Sequence, residues 1–347
     1  MKRDGSVFAI GVVSALAIAG AACGPSPDRT AQLQEQRPKI GLLMDTVEEG
    51  ERWQRDRDLF VERAKQQGAD VLVEIAGGDQ AKQLQQAESL LARDVKVLVV
   101  VPHSSEDAAP IVEAAKKKSV PVIAYDRLIL KADVDLYMSY DNRRVGELQA
   151  QYLRNRAPQG NYILLGGAPT DHNAKLIREG QLAALEDAVK RREIKIVADP
   201  WVPNWEADAA TALTEAALKK AGNQVVAVVA SNDVTAGGAI KALEKSGLAN
   251  KVLVSGQDAN LDAVRRLVSG TQAMTVYKPL RALAVGAASV AVQLANGGKV
   301  EGTSTVDNGL KKVPSLLLVP ISVDKDLVDQ LIIADKFHTR EQVYGKK

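Results

Sequence analysis

The sequence predicts an α/β protein of two similar lobes, each a parallel sheet flanked by helices, joined by a three-strand hinge. Three observations predict it. From Lys39 onward short apolar, β-branched runs alternate with amphipathic stretches, the pattern of βαβ units and parallel sheets. The alternation occurs twice along 347 residues, a length that accommodates two domains of ordinary size. The apolar runs also end in polar planar groups: Val120-Pro121-Val122-Ile123-Ala124-Tyr125 stops at Asp126-Arg127. Such strand tips are where open α/β sheets hold ligands.

The chain begins with Lys2 and Arg3, then an apolar, small-residue stretch from Val7 to Ala22, which reads as an export signal and is too short for a spanning helix. Cys23, the only cysteine, follows it and suits lipid attachment; the chain would then touch a membrane only through that anchor. The position three before Cys23 is Gly20, where a lipoprotein signal usually has Leu, so plain cleavage after Ala19-Gly20-Ala21 stays open. Gly24 to Arg37 is polar, contains Pro25 and Pro27, and reads as a tether.

Strands of the first lobe are expected at Ile40–Met44, Val71–Ile75, Val95–Val101 and Val120–Tyr125, with helices at Arg52–Gln67, Gln80–Arg93 and Ser105–Lys118. Tyr137–Tyr140 is a short extra strand before Asp141-Asn142, a turn and helix cap at the first crossing between lobes. The second lobe repeats the plan with strands at Tyr162–Leu165, Ile194–Val197, Val225–Val229, Val252–Ser255 and Met274–Tyr277. Its helices are expected at Asn173–Lys190, Ala207–Ala221, Thr235–Lys245 and Leu261–Val268. Ala282–Leu294 is apolar on nearly all faces and is placed back in the first lobe; Leu316–Val319 is expected as a strand returning to the second, with Asp324–Leu331 as a terminal helix. The expected boundaries are 1–22 signal, 23–38 tether, 39–141 and 279–308 first lobe, 142–278 and 309–340 second lobe, and 341–347 tail.

The strand tips carry the chemistry. Asp45 follows the first strand, Glu51-Arg52-Trp53 opens the next helix, and Asp126 and Arg127 follow the fourth strand. In the other lobe Asp171, Asn173, Trp201, Trp205, Asn232, Asp233, Asp258 and Lys278 hold equivalent places. Turn chemistry supplies Asn and Asp, and Asp233 or Asp258 read equally well as helix caps, but it does not account for Arg, Lys and Trp. Asp126-Arg127 alone would also serve as a structural ion pair. The chain is only 4% aromatic, yet all three tryptophans fall in tip loops. Indole faces with Asp, Asn, Arg and Lys complement a pyranose, which has C–H groups on one face and hydroxyls around its edge. At least one tryptophan is expected merely to plug the edge of its own lobe.

Several collinear stretches resemble the D-xylose-binding members of the ribose-type periplasmic sugar-binding family of bacterial ABC importers. They include Glu51-Arg52-Trp53-Gln54 with Asp56, Ala124-Tyr125-Asp126-Arg127, Val145-Gly146-Glu147-Leu148-Gln149-Ala150, Ser231-Asn232-Asp233, Ser255-Gly256-Gln257-Asp258 and Thr275-Val276-Tyr277-Lys278-Pro279. The resemblance spans about Lys39 to Phe337 and implies the type I periplasmic binding protein fold. It also implies ligand contacts from Arg52, Asp126, Arg127, Asp171, Asn173, Trp205, Asn232, Asp258 and Lys278. The function it implies is capture of a monosaccharide, D-xylose first among candidates, by a monomeric extracytoplasmic protein that delivers it to an inner-membrane ABC permease. Another pentose or a hexose stays open.

Other classes find less support. With 45 basic and 43 acidic residues the chain has no basic field for nucleic acid. His103, His172 and His338 are far apart and have no metal spacing, and Cys23 lies outside the folded body. Neither Ala76-Gly77-Gly78 nor Gly166-Gly167 fits a dinucleotide fingerprint, so no cofactor is expected. A sugar-responsive repressor would need a helix-turn-helix where this chain has an export signal. An exported glycosidase is the remaining alternative, with Asp126, Asp171 and Asp258 as candidate paired carboxylates.

Overall fold

Alternate side chains of the first strand, β1 (Lys39–Met44), enter different cores: Ile40, Leu42 and Met44 join one apolar cluster and Leu43 another. Val97 and Val99 divide from Leu98 and Val100 in the same way along β3 (Val97–Val100). A strand covered on both faces needs such a continuous apolar run, which is why these segments read as strands. The computed structural model describes residues 37–46 and 51–345. The expected signal segment, Cys23 and the tether up to residue 36 lie outside the described residues.

The first sheet also contains β2 (Asp70–Ile75), β4 (Val122–Tyr125), β5 (Leu136–Tyr140), β11 (Ser304–Asp307) and β12 (Lys312–Leu318). Its order is β11-β12-β5-β4-β3-β1-β2, parallel except for the edge strand β11. Helices α1 (Glu51–Gln66) and α9 (Leu280–Ala295) cover one face; Phe60 and Ala64 meet Leu283, Ala287 and Ala291 there. The opposite face is covered by α2 (Gln80–Ala92) and α3 (Ala109–Lys117) through Leu90, Leu91, Ile111 and Ala115. The apolar helix expected to return to the first lobe is thus α9.

The second sheet runs β7-β6-β8-β9, all parallel, with β6 (Gly160–Leu165), β7 (Ile194–Ala198), β8 (Ala227–Ala230) and β9 (Leu253–Val254). Helices α4 (Asn142–Arg156) and α5 (His172–Lys190) pack one face through Leu153 and Leu185, and α6 (Ala207–Lys220) and α7 (Asp233–Lys245) pack the other through Leu218 and Leu243. Beside it β10 (Thr275–Tyr277) pairs antiparallel with β13 (Ile321–Val323), and α8 (Leu261–Ser269) closes a smaller core with them.

Two expectations are corrected. Leu316–Val319 was expected to form a second-lobe strand, but β12 pairs in register with β5 in the first sheet, Leu316 opposite Met138. The return to the second lobe therefore falls at the step from β12 to β13, not at residue 309. The expected tail from residue 341 is largely helix α10 (Arg340–Tyr344), whose Val343 is buried among α8 and β13 side chains. Its Gln342 carbonyl accepts a 2.9 Å hydrogen bond from Arg265 Nε.

The three crossings, β5 to α4, β10 to α9 and β12 to β13, lie side by side. The Asp141 amide donates to the Leu318 carbonyl at 3.1 Å, and the Tyr140 hydroxyl donates to the Pro279 carbonyl at 2.7 Å. Hydrogen bonds thus tie the first crossing to each of the other two, and element-terminal residues of this kind are where a hinge takes up its backbone change.

Candidate functional site

The strand tips of both sheets converge on one cavity of about 280 Å³. All nine sequence-predicted residues line it: Arg52, Asp126 and Arg127 from the first lobe, and Asp171, Asn173, Trp205, Asn232, Asp258 and Lys278 from the second. Trp53 lines it too, whereas Trp201 does not and lies partly exposed with the Arg178 guanidinium 5.3 Å from its ring centre. Trp201 is therefore the tryptophan that serves its own lobe.

On the first-lobe side Asp126 sits just beyond β4 with φ of 62°, a left-handed conformation uncommon for residues other than glycine. Its backbone is held there from three directions. The Asp126 amide donates to the Met138 carbonyl at 2.7 Å, and its carbonyl accepts the hydroxyls of Tyr137 and Ser139 at 3.1 and 2.7 Å. Arg52 comes from the first turn of α1, and its guanidinium lies 4.6 Å from the Trp53 ring centre. One buried indole thus supports Arg52 and, at 5.5 Å, Arg127.

The second-lobe residues are placed by helix starts and by strained turns. Asp171 is the N-cap of α5, accepting the Asn173 amide at 2.9 Å, and Asn232 caps α7 in a reciprocal capping box with Thr235. Asp258 is not the cap of α8; that position is Asn260. Asn204, Trp205 and Asp258 all have positive φ, at 50°, 59° and 92°. Clustering of such conformations at one cavity is what a binding site held by its surroundings shows. The Trp205 indole packs against Gly167, where any Cβ would overlap the ring.

Ion pairs link the lobes across the cavity. Arg52 hydrogen-bonds Asp126 on its own side and reaches Asp258 Oδ1 at 3.0 Å on the other; Lys278 Nζ approaches the same oxygen at 3.0 Å. Arg127 lies between Asp45 at 2.8 Å and Asp171 at 3.1 Å. Asn173 Nδ2 donates to the Asp126 carbonyl at 3.0 Å. Near the rim, the Ser105 amide donates to the Thr170 carbonyl and Ser105 Oγ accepts the His172 amide, both at 3.2 Å. These bonds describe a closed pair of lobes.

Burial and charge compete at each acid. Burial pushes the Asp126 carboxyl up, but Arg52, Lys278 and Arg127 outweigh it and leave its pKa lowered. At Asp171 burial wins over Arg127 and the Asn173 amide, so its pKa is raised. Behind Arg52, burial pushes Asp56 up to about 6 against the pull of Arg52 and a hydrogen bond from the Tyr125 hydroxyl. Burial opposes the charge on Arg52 itself, yet Asp126, Asp258 and Asp56 together hold its pKa well above the usual value. A cavity with fixed anions, fixed cations, amides and two indoles can grip a neutral ring whose hydroxyls both donate and accept.

Asn142, Asn204, Gln257 and Asn260 line the cavity as well and were not singled out from sequence as ligand groups. Asn142 stands two residues past β5, as the first residue of α4 after its cap Asp141, and the sequence shows it only as part of a turn and cap. Gln257 adjoins Asp258, and the same strand-tip rule could have included it.

Comparison with known proteins bears on the fold and the family. The periplasmic binding protein domain family matches residues 40–299. The D-xylose-binding periplasmic protein of Haemophilus influenzae is 49% identical over 306 residues, covering 88% of this chain and 92% of the relative. The corresponding protein of Escherichia coli is 48% identical over 305 residues, with the same coverage. Among solved structures, a carbohydrate transporter solute-binding protein from Chloroflexus aurantiacus in complex with D-glucose superposes with a TM-score of 0.83 at 31% identity, covering 88% of this chain and 98% of that one. Fold and site together define a two-lobed solute-binding protein. The chain belongs to the periplasmic binding protein family.

Proposed function

We propose that the protein captures a monosaccharide between its lobes, with D-xylose as the preferred ligand, and delivers it to an ABC-type permease. The observation that carries this reading is the convergence of both sets of strand tips on one cavity lined by Arg52, Trp53, Asp126, Trp205, Asn232, Asp258 and Lys278. Two relatives named as D-xylose-binding periplasmic proteins support the choice of sugar. Sugar hydroxyls take over part of the hydrogen bonding at Asp126, Arg127, Asp171, Asn173, Asn232, Asp258 and Lys278, Arg52 bridges both halves, and an indole face of Trp205 covers the ring. The ligand favours closure because it contacts groups of both lobes at once only when they meet. The permease would recognise that closed form, and the N-terminal signal would carry the chain to the periplasm, with or without a lipid at Cys23.

Binding without chemistry suits the acids. Asp126 and Asp258 face Arg52, and Asp171 faces Arg127, an arrangement for gripping rather than for proton transfer. Titration with D-xylose in a calorimeter should give saturable one-to-one binding, with weaker heats for D-glucose. Absence of binding to any pentose or hexose would overturn the proposal, as would hydrolysis of aryl glycosides by the pure protein.

A further inference from the structure

Asp233 adjoins Asn232 but does not line the cavity; its side chain turns inward and is buried. Its carboxylate is fully engaged. Oδ1 accepts Gln272 Nε2 at 2.8 Å and Thr275 Oγ1 at 2.9 Å, and Oδ2 accepts the Asn260 amide at 2.9 Å. The backbone takes part as well: the Asp233 amide donates to the Gln257 carbonyl at 3.0 Å, and its carbonyl accepts Arg266 Nη2 at 2.9 Å. Arg266 Nε in turn donates to Gln272 Oε1 at 3.0 Å.

These bonds bracket the loop that carries Asp258. Gln257 before it and Asn260 after it are both tied to Asp233, and a Cβ at position 256 would overlap the Asp233 carboxylate. Between those ties Asp258 has φ of 92° and Ala259 of 53°, conformations that a loop without such anchors would relax. Asp258 then meets Arg52 of the first lobe and Lys278 of its own.

We propose that Asp233 is a positioning residue for ligand binding: it holds the Gln257–Asn260 loop so that the Asp258 carboxylate is aimed into the cavity before the lobes close. The inference rests on the sugar-binding reading above and concerns a side chain that touches no ligand. Asp233→Asn keeps the size but puts an amide N–H against the Asn260 amide or against the Gln272 and Thr275 donors, so at least one tie is lost. The residue acts through Asp258, and its effect should disappear when Asp258 can no longer serve.

The test is a double-mutant cycle by D-xylose calorimetry on the full-length protein, using Asp233→Asn, Asp258→Asn and the double variant, with Thr275→Val as a milder cut of the same hub. Asp233→Asn should weaken binding about tenfold, Thr275→Val about threefold, and neither should weaken it more than about twofold in the Asp258→Asn background. Equal losses in both backgrounds, or no loss in either single variant, would overturn the inference. Should Asp233→Asn fail to fold, the Thr275→Val pair decides alone. Failure of the unaltered protein to bind any sugar would instead remove the function proposed above.

Discussion

The two lobes bring different ionic groups to the cavity: guanidinium groups come from the first alone, and an ammonium group, Lys278, from the second. The first lobe projects two guanidinium groups, Arg52 and Arg127, stacked over one indole and each backed by carboxylates of its own side, Asp126 and Asp45. The second lobe answers with Asp258 and Asp171, so that closure sets each of these guanidinium groups against an anion of the other lobe, while Lys278 pairs with Asp258 within its own lobe. The pKa shifts follow from this asymmetry. Asp126 faces three cations and is held ionised, while Asp171, equally buried, has chiefly Arg127 against the cost of burial. Closure is thus selected by sign as well as by shape, and a neutral polyol can join this array without adding net charge.

The largest test of that division is Arg52→Ala. The side chain touches Asp126, Asp258 and, at 3.6 Å, Asp56, so its loss strands three acids around one gap. Breaking a buried pair from one side costs about 3–5 kcal/mol, and D-xylose affinity measured by calorimetry should fall at least a hundredfold. An effect under fivefold would show that the lobes do not depend on this cation.

A stability measurement sharpens the second-lobe side. Burial pushes Asp233 up to about 7; the hydrogen bond from Gln272, the Arg266 charge and the hydrogen bond from Thr275 pull it down without overcoming burial, and Asp258 adds to the rise. The native state then holds this proton more tightly than the unfolded chain does, so Asp233 lowers stability progressively as pH rises from the ordinary carboxylate range through 7, by roughly 4 kcal/mol at most. Urea unfolding from pH 5 to 8 should show that decline, and Asp233→Asn should remove it. A slope identical in both proteins would contradict the buried, ionisable state assigned here.

On the same side, Gly167→Ala tests whether Trp205 needs its seat. The added methyl must displace the indole, which should weaken sugar binding about tenfold and change the tryptophan emission spectrum while leaving the first-lobe groups in place. An unchanged affinity would mean that Trp205 does not cover the ligand.

How much of this was legible in the sequence depended on what each residue type can signal alone. Apolar runs such as Val97–Val100 declared buried strands, and the charged or aromatic residues after them declared the site. Leu316–Val319 gave the same apolar signal, but only pairing with Tyr137–Tyr140 decides which sheet receives it, and periodicity contains no register. Strand β11, Ser-Thr-Val-Asp at a mostly exposed edge, had no apolar signal to read. As strand-tip tryptophans Trp201 and Trp205 look alike, and only the family resemblance singles out Trp205; the difference is spatial, since Trp205 lies on Gly167 within the cavity wall and Trp201 lies outside it. Asp233 passed for an ordinary cap because its partners, Gln272 and Thr275, are some forty residues away.

The smallest expected effect separates the cavity from its rim. Lys175 of the second lobe lies 3.3 Å from Glu106 of the first, a pair that crosses the cleft just as Arg52–Asp258 does. Both rim side chains are largely in water, where Coulomb attraction is screened and two long chains lose freedom in meeting, so such a pair contributes about 0–1 kcal/mol. Lys175→Ala should change D-xylose affinity less than about threefold, and the small loss should vanish at high salt. If it instead matched Arg52→Ala, closure would be driven from the rim, and the buried cations would be fillers of the cavity rather than the groups that hold the lobes together.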